Sequence, residues 1–153
     1  MNDSLIGIVD FDPITGKRLK ITEYREDGIT IDDISEYDKD NEKLFKITQY
    51  LNDGITISHI KEFDQDTGNV FKQINYQADG IKIDYINEYD KYDDMTHFRD
   101  YFIKQTSYQA DGITITEIKE YDLDTKKIIK KTNYQADGTT KINEYDPQTG
   151  ALI

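Results

Sequence analysis

The apolar and polar positions of this chain keep no helical spacing for long, because a turn-forming cluster interrupts them roughly every ten residues. Between interruptions lie segments rich in Ile, Thr, Tyr and Phe, the composition of pleated, half-buried strands. Two markers divide them. The dipeptide Asp-Gly occurs at Asp27-Gly28, Asp53-Gly54, Asp79-Gly80, Asp111-Gly112 and Asp137-Gly138, at spacings of 26, 26, 32 and 26 residues. An aromatic residue between acids occurs at Phe11, Tyr37, Phe63, Tyr89, Tyr121 and Tyr145, at spacings of 26, 26, 26, 32 and 24. Two markers sharing one period define a tandem repeat. Its units run over residues 1–12 (a half), 13–38, 39–64, 65–90, 91–122 (with an insertion), 123–146 and 147–153 (a half).

Each unit predicts a β-hairpin. In the first, one strand runs from about Arg18 to Arg25 and the other from Ile29 to Tyr37, with Asp27-Gly28 as a two-residue turn of positive φ. The longer connection, Phe11 to Gly16 and again Tyr145 to Gly150, places Asp and Pro at the first turn positions and Gly at the left-handed residue. These turns set a register of Tyr24 with Ile31, Ile21 with Ile34, Tyr37 with Leu44 and Ile34 with Ile47. One face then carries Tyr24, Ile29, Ile31, Tyr37, Leu44 and Tyr50, and the other Leu19, Ile21, Ile34, Phe45 and Ile47. Both faces hold apolar stripes. The expected fold is therefore all-β, with tandem hairpins forming an elongated, twisted antiparallel sheet or solenoid-like ribbon.

Composition supports a thin sheet over a thick core. Of 153 residues, 36% are hydrophobic and 33% charged, yet 12 are Tyr and 6 Phe, and Tyr buries its ring while keeping its hydroxyl in water. The formal charge of -12 disfavours nucleic acid and anionic membrane surfaces as partners. Without Cys there is neither disulfide nor thiolate chemistry. No apolar run is long enough to span a bilayer, and Met1 to Phe11 shows no signal-peptide pattern. Met1 to Asp12 reads as the second strand of a missing repeat and Pro147 to Ile153 as an opening strand. Either half-hairpins cap the array or the chain is cut from a longer one.

Units such as Tyr76 to Asp90, with its Asp79-Gly80 turn and Glu88-Tyr89-Asp90 ending, and the Tyr145 to Gly150 connection carry a resemblance. From Phe11 onward the chain is similar to a tandem-repeat domain of unknown function found in phytoplasmas and lactic-acid bacteria. The resemblance implies a bacterial origin, often a secreted or surface protein, and no activity, cofactor or catalytic residue. More distantly, the hairpin units resemble MORN repeats and the tyrosine-aspartate repeats of bacterial toxin shells, in architecture alone.

Candidate chemistry is sparse. Ser4, Ser35, Ser58 and Ser107 sit in no triad-like context. His59 takes a strand slot filled by Asp33, Tyr85 and Glu117 in other units, which reads as a solvated substitution. The acid pairs Glu36 with Asp38, Glu62 with Asp64 and Glu88 with Asp90 could serve glycoside hydrolysis, but repetition along a ribbon makes no single pocket, so they read as turn residues and solubilising charge. Asp38, Asp40 and Glu42, or Asp64 and Asp66, would be the place for calcium, but these loops lack a calcium-loop sequence. The expected cofactor and metal complement is none, and the chain is expected not to be an enzyme.

Binding is the alternative to chemistry. The ladder Tyr24, Tyr50, Tyr76, Tyr108 and Tyr134 reads as packing against Ile31, Ile57, Ile83 and Ile115. Its second reading is a glycan grip using Tyr76 and Tyr108. The column Lys20, Lys46, Lys72, Lys104 and Lys130 reads as edge and face solubility. The insertion within Lys91 to Tyr101 holds Tyr92, Met95, His97, Phe98 and Arg99, types enriched at interface hot spots. The expected function is a scaffold that binds another protein, with a glycan or cell-wall module as the alternative. Self-association through open sheet edges is expected to grow with salt and as pH falls toward 4.5.

Overall fold

The computed structural model describes residues 7–91 and 102–153. The strands are β1 (Gly7–Phe11), β2 (Arg18–Tyr24), β3 (Ile31–Tyr37), β4 (Leu44–Tyr50), β5 (Ile57–Phe63), β6 (Val70–Tyr76), β7 (Ile83–Tyr89), β8 (Phe102–Tyr108), β9 (Ile115–Tyr121), β10 (Ile128–Tyr134) and β11 (Thr140–Glu144). Their order in space is their order in sequence, so hairpins alone build one antiparallel sheet of 11 strands. It is the elongated, twisted all-β ribbon that the repeat implies. Among the described residues there is no helix. Beyond β11 the chain turns back, with Tyr145 bridged to Leu152 and the Ile153 N–H donating to the Glu144 carbonyl at 2.9 Å.

Both connections of the repeat hold six residues and are organised by an aspartate. In the loop from Arg25 to Thr30, the Arg25 N–H donates to the Thr30 carbonyl at 2.8 Å. Asp27 Oδ1 accepts from the N–H groups of Ile29 and Thr30 at 2.9 and 2.8 Å. Gly28 has φ 69°, as Asp-Gly implied. The loop is nevertheless longer than the expected two-residue turn, so the strand starts at Ile31 rather than Ile29, and Ile29 is an exposed loop residue. In the other connection, Asp12 Oδ1 accepts from Ile14 and Thr15 at 2.9 and 2.6 Å, and Gly16 takes the left-handed φ of 71°. Glu42 and Lys126 occupy that position without being glycine, at φ 59° and 60°.

A β-bulge at these strand ends decides which side chains share a face. Tyr24 pairs with Ile31 and Tyr37 with Leu44, as expected. One residue further in, Glu23 pairs with Asp33 and Glu36 with Lys46, which leaves Asp32 and Phe45 without a partner across the strand. Ile34 therefore pairs with Thr22 and Thr48, not with Ile21 and Ile47, which both pair with Ser35. The expected face sets are corrected accordingly. Ile34 shares a face with Tyr24, Ile31 and Tyr50, while Tyr37 and Leu44 lie with Ile21 and Ile47. The last hairpin has no such bulge, since Asn133 pairs with Lys141 and Tyr134 with Thr140. Its loop, Gln135 to Thr139, is one residue shorter. The two residues it lacks are thus one loop residue and one bulge residue, a loss that keeps every side chain on its face.

No side chain among the described residues is fully buried. In place of a core, one face carries a row running straight across the sheet: Ile8, Thr22, Ile34, Thr48, Ile60, Ile74, Ile86, Thr106, Ile118, Thr132 and Ile142. The four threonines sit between isoleucines on both sides and are only 6–8% exposed. Small and large side chains interdigitate here as in a core laid out in one line.

Repeats are also clipped together at both ends of the strands. Arg25 donates to the Tyr50 and Leu51 carbonyls at 3.1 and 3.3 Å, and Gln77 to the Gln109 carbonyl at 3.0 Å. At the opposite ends Lys17 reaches the Asp40 carbonyl, Lys43 that of Gln65 and Lys127 that of Gln148. The Asp-Gly loops nest. A Cβ on Gly54 would lie 2.7 Å from Thr30 Cγ2 and 2.8 Å from Ile31 N, and one on Gly80 would meet Thr56 and Ile57 in the same way. Around Gly28 there is nothing within 4 Å. Gly28→Ala is therefore expected to cost only left-handed strain, about 1 kcal/mol. Gly80→Ala should cost about 1–3 kcal/mol more through overpacking against the neighbouring loop. Equal losses in urea unfolding would contradict the nesting.

The turn aspartates also set a pH dependence. Asp12, Asp27, Asp53, Asp79 and Asp111 are held below the ordinary carboxylate range, first by the hydrogen bond from the residue three positions on. Asp64 is lowered to about 2 by the Thr67 N–H and then by Lys91 Nζ. A carboxylate whose folded pKa lies below its unfolded value of about 3.9 stabilises the fold above that value. That contribution disappears as pH falls through the folded pKa. The urea midpoint should therefore drop between about pH 4 and pH 2, and Asp64→Asn should flatten part of that slope. A midpoint equal at both ends of this window would count against the role given to these turns.

Candidate functional surfaces

The strand pairing brings the lysine column into register with a column of acids. Across the sheet run Asp10, Lys20, Glu36, Lys46, Glu62, Lys72, Glu88, Lys104, Glu120, Lys130 and Glu144, strictly alternating. Lys20 meets Asp10 at 2.9 Å, Lys72 meets Glu62 at 3.5 Å, Lys104 meets Glu88 at 2.8 Å and Lys130 meets Glu120 at 3.4 Å, and Lys46 contacts Glu36. The lysines are thus more than the solubilising groups expected. Each exposed pair contributes little alone. Together they penalise a slipped register, which would remove the alternation along the whole row. The alternation was hidden because Lys20 and Glu36 face each other only once the bulge is known.

The same face holds the tyrosine ladder. Tyr24, Tyr50, Tyr76 and Tyr108 lie opposite Ile31, Ile57, Ile83 and Ile115, and Tyr134 lies opposite Thr140. Tyr76 and Tyr108 are half-buried, and burial, followed by the Glu62 charge, pushes the Tyr76 phenol up.

The other face changes character along the ribbon. Val9, Ile21 and Ile47 lie toward β1, Gln73, Asn87 and Gln105 in the middle, and Lys119 and Lys131 toward β11. Gln73 Nε2 donates to Asn75 Oδ1 at 2.8 Å and Gln105 Nε2 to Asn87 Oδ1 at 3.0 Å. Lys119 and Lys131 both contact Glu117. His59 shares a row with Asp33, Tyr85 and Glu117, as its repeat slot implied. It is half-buried rather than solvated, and burial, then the Lys61 charge, holds its pKa below the usual imidazole value.

The recurring acid pairs separate into two duties. Glu36, Glu62 and Glu88 belong to the charge ladder. Asp38 Oδ1 accepts from Asp40 and Asn41 at 2.8 and 3.0 Å, and Asp64 Oδ1 from Asp66 and Thr67 at 3.1 and 3.0 Å. Successive residues in a strand point to opposite sides, but each Asp here lies past its strand end, in a loop. Among the described residues no three His, Asp or Glu side chains gather as a metal would require. Tyr92, Met95, His97, Phe98 and Arg99, the insertion residues singled out from sequence, lie outside the described residues.

Charge is divided unevenly between sheet and loops. The strands hold 11 of the 31 Asp and Glu and 10 of the 19 Lys and Arg, a net of -1 out of -12. Most of the remaining acidity, a net of -8, lies in the described loops along the two edges of the sheet. No helix among the described residues is long and apolar enough to cross a membrane.

Comparison with known proteins bears on this architecture. A search of curated proteins found no match. The crystal structure of TarM is similar at 15% identity and TM-score 0.39, over 84% of this chain and 20% of TarM. A mutant of S. aureus TarM in complex with Fondaparinux, alpha-GlcNAc-glycerol and UDP is similar at 14% identity and TM-score 0.39, with the same coverage. The chain thus spans about one fifth of the TarM length. A protein with unknown function from Bacteroides fragilis is similar at 10% identity and TM-score 0.17, over 96% of this chain and 86% of that one. The sequence itself matches one family over residues 2–49, 50–97, 100–133 and 108–153. These matches run along nearly the whole chain, the last two overlapping over residues 108–133, and the chain belongs to the family "Protein of unknown function (DUF2963)".

Proposed function

We propose that the chain is a non-enzymatic scaffold whose open sheet binds another protein. The observation that supports this reading most is the pairing of two faces that no other described element covers with near-neutral strands in a strongly acidic protein. Eleven strands at about 4.8 Å and seven residues at about 3.4 Å give each face roughly 1,200 Å², more than the ~800 Å² per partner of a stable interface. Apolar rows bordered by polar side chains are the composition such an interface uses. The recurring acids hold the fold: glutamates in the ladder, aspartates in the loops. The half-burial of Tyr76 and Tyr108 against isoleucine favours packing over a glycan grip. Immobilised full-length chain is expected to retain a discrete protein from bacterial lysate. Lys61→Glu with Gln105→Glu, folded by circular dichroism, should weaken that complex roughly tenfold. Retention of glycans with no protein, abolished by Tyr76→Ala and Tyr108→Ala, would overturn the reading in favour of a carbohydrate module.

A further inference from the structure

The Asp-Gly edge of the sheet displays apolar side chains that the fold itself does not use. Ile29, Ile55, Ile81 and Ile113 hold the same place in four of the five loops and are 81, 81, 79 and 80% exposed. Thr139 follows the glycine in the fifth. A solitary exposed isoleucine needs no explanation, but a periodic line of them does. The line is also rigid. Each isoleucine N–H donates to Oδ1 of the turn aspartate two residues before it, at 2.9 Å in all four loops. Gly54, Gly80 and Gly112 seat each loop against the previous one. Consecutive isoleucines are two strands apart, about 9.5 Å.

Charge says what this comb fits. The five loops hold Glu26 and five turn aspartates against Arg25 and Lys82. Hydrogen bonds within the loops keep Asp27, Asp53, Asp79 and Asp111 ionised well below neutral pH. Every apolar tooth therefore stands two residues from a fixed negative charge. A second copy of the edge would bring like charge against it, and an anionic bilayer would do the same. The complement is a surface that is both apolar and basic, with apolar groups about 10 Å apart. An α-helix with one apolar residue per heptad repeats every ~10.5 Å, and over four teeth the mismatch is only ~3 Å.

We propose that the Asp-Gly edge docks a basic amphipathic helix of a partner protein, with Ile29, Ile55, Ile81 and Ile113 as anchors and the turn aspartates as its charge complement. This rests on the reading of the chain as a protein-binding scaffold and names the surface and the partner chemistry. The probe is a synthetic helical peptide of about 24 residues, with leucine at every seventh position and lysine, glutamine and alanine elsewhere. Its binding to the full chain is followed by fluorescence anisotropy. Ile55→Ser with Ile81→Ser lies in exposed loops, and circular dichroism checks that the sheet is intact. The peptide is expected to bind the unaltered chain, and to bind the variant about tenfold more weakly. Scrambling the leucines should weaken it to the same extent. Equal binding of the variant or of the scrambled peptide would overturn the proposal, leaving only diffuse attraction between opposite charges. A dimer of the unaltered chain that the same substitutions abolish would also overturn it, making a second copy the occupant. If the variant still retains the protein captured by the full chain, the edge assignment fails while the scaffold reading stands. If neither captures a protein, the scaffold reading fails as well.

Discussion

Pairing between neighbouring strands is the interaction on which the rest depends, because no side chain among the described residues leaves water altogether. Cross-strand pairs contribute about 0.2–1 kcal/mol each, whereas ordering the backbone costs roughly 1–2 kcal/mol per residue. A lone hairpin cannot meet that cost. The array does better because each interior strand is paired on both sides and some loops are clipped to the next, as Arg25 is to Leu51 and Gln77 to Gln109. Rows of side chains then act across the whole sheet. The isoleucine–threonine row supplies packing and the lysine–acid row supplies register. Both require every residue to keep its side, so the bulges beside Tyr24 and Tyr37 matter as much as any contact. The last hairpin shows the constraint directly, having given up a loop residue and a bulge residue together.

The division of charge follows from the same geometry. Acids inside strands can be met by a lysine on the neighbouring strand, and the ladder does this from Asp10 to Glu144. Aspartates in loops are instead met chiefly by main-chain N–H groups of their own turn, with Lys91 added at Asp64. A sheet close to neutral is thus framed by two acidic edges. Faces of that kind suit a broad protein contact. The Asp-Gly edge, with isoleucines between its carboxylates, suits a narrow basic and apolar one.

Much of this was legible in the sequence. Asp27-Gly28 and its copies located one set of loops, and Phe11, Tyr37 and their copies the other. The pairs Tyr24 with Ile31 and Tyr37 with Leu44 followed from treating those loops as hairpin connections. The error lay in carrying that register inward. A bulge adds one residue to one strand without any residue type that marks it, and Asp32 and Phe45 look like ordinary strand residues. Ile34 therefore takes other partners and the other face than the turn-set register implies, and Ile29 is a loop residue whose N–H is held by Asp27. The charge ladder is hidden in the sequence for the same reason. The lysine column is visible by counting back four residues from each tyrosine, but its acid partners depend on the bulged register. His59 was placed in the right row, while its half-burial depends on the neighbouring strands.

Small-angle X-ray scattering of the monomer tests most directly whether a single uncovered layer is the native state. A plate of roughly 50 by 35 by 10 Å, from strand spacing, strand length with its loops, and sheet thickness, has a radius of gyration of about 18 Å. A compact domain of this length would give about 15 Å. The account predicts the larger value with the scattering profile of a flat particle. A value near 15 Å with a globular profile would mean that the sheet folds over and buries one of its faces, and would contradict it.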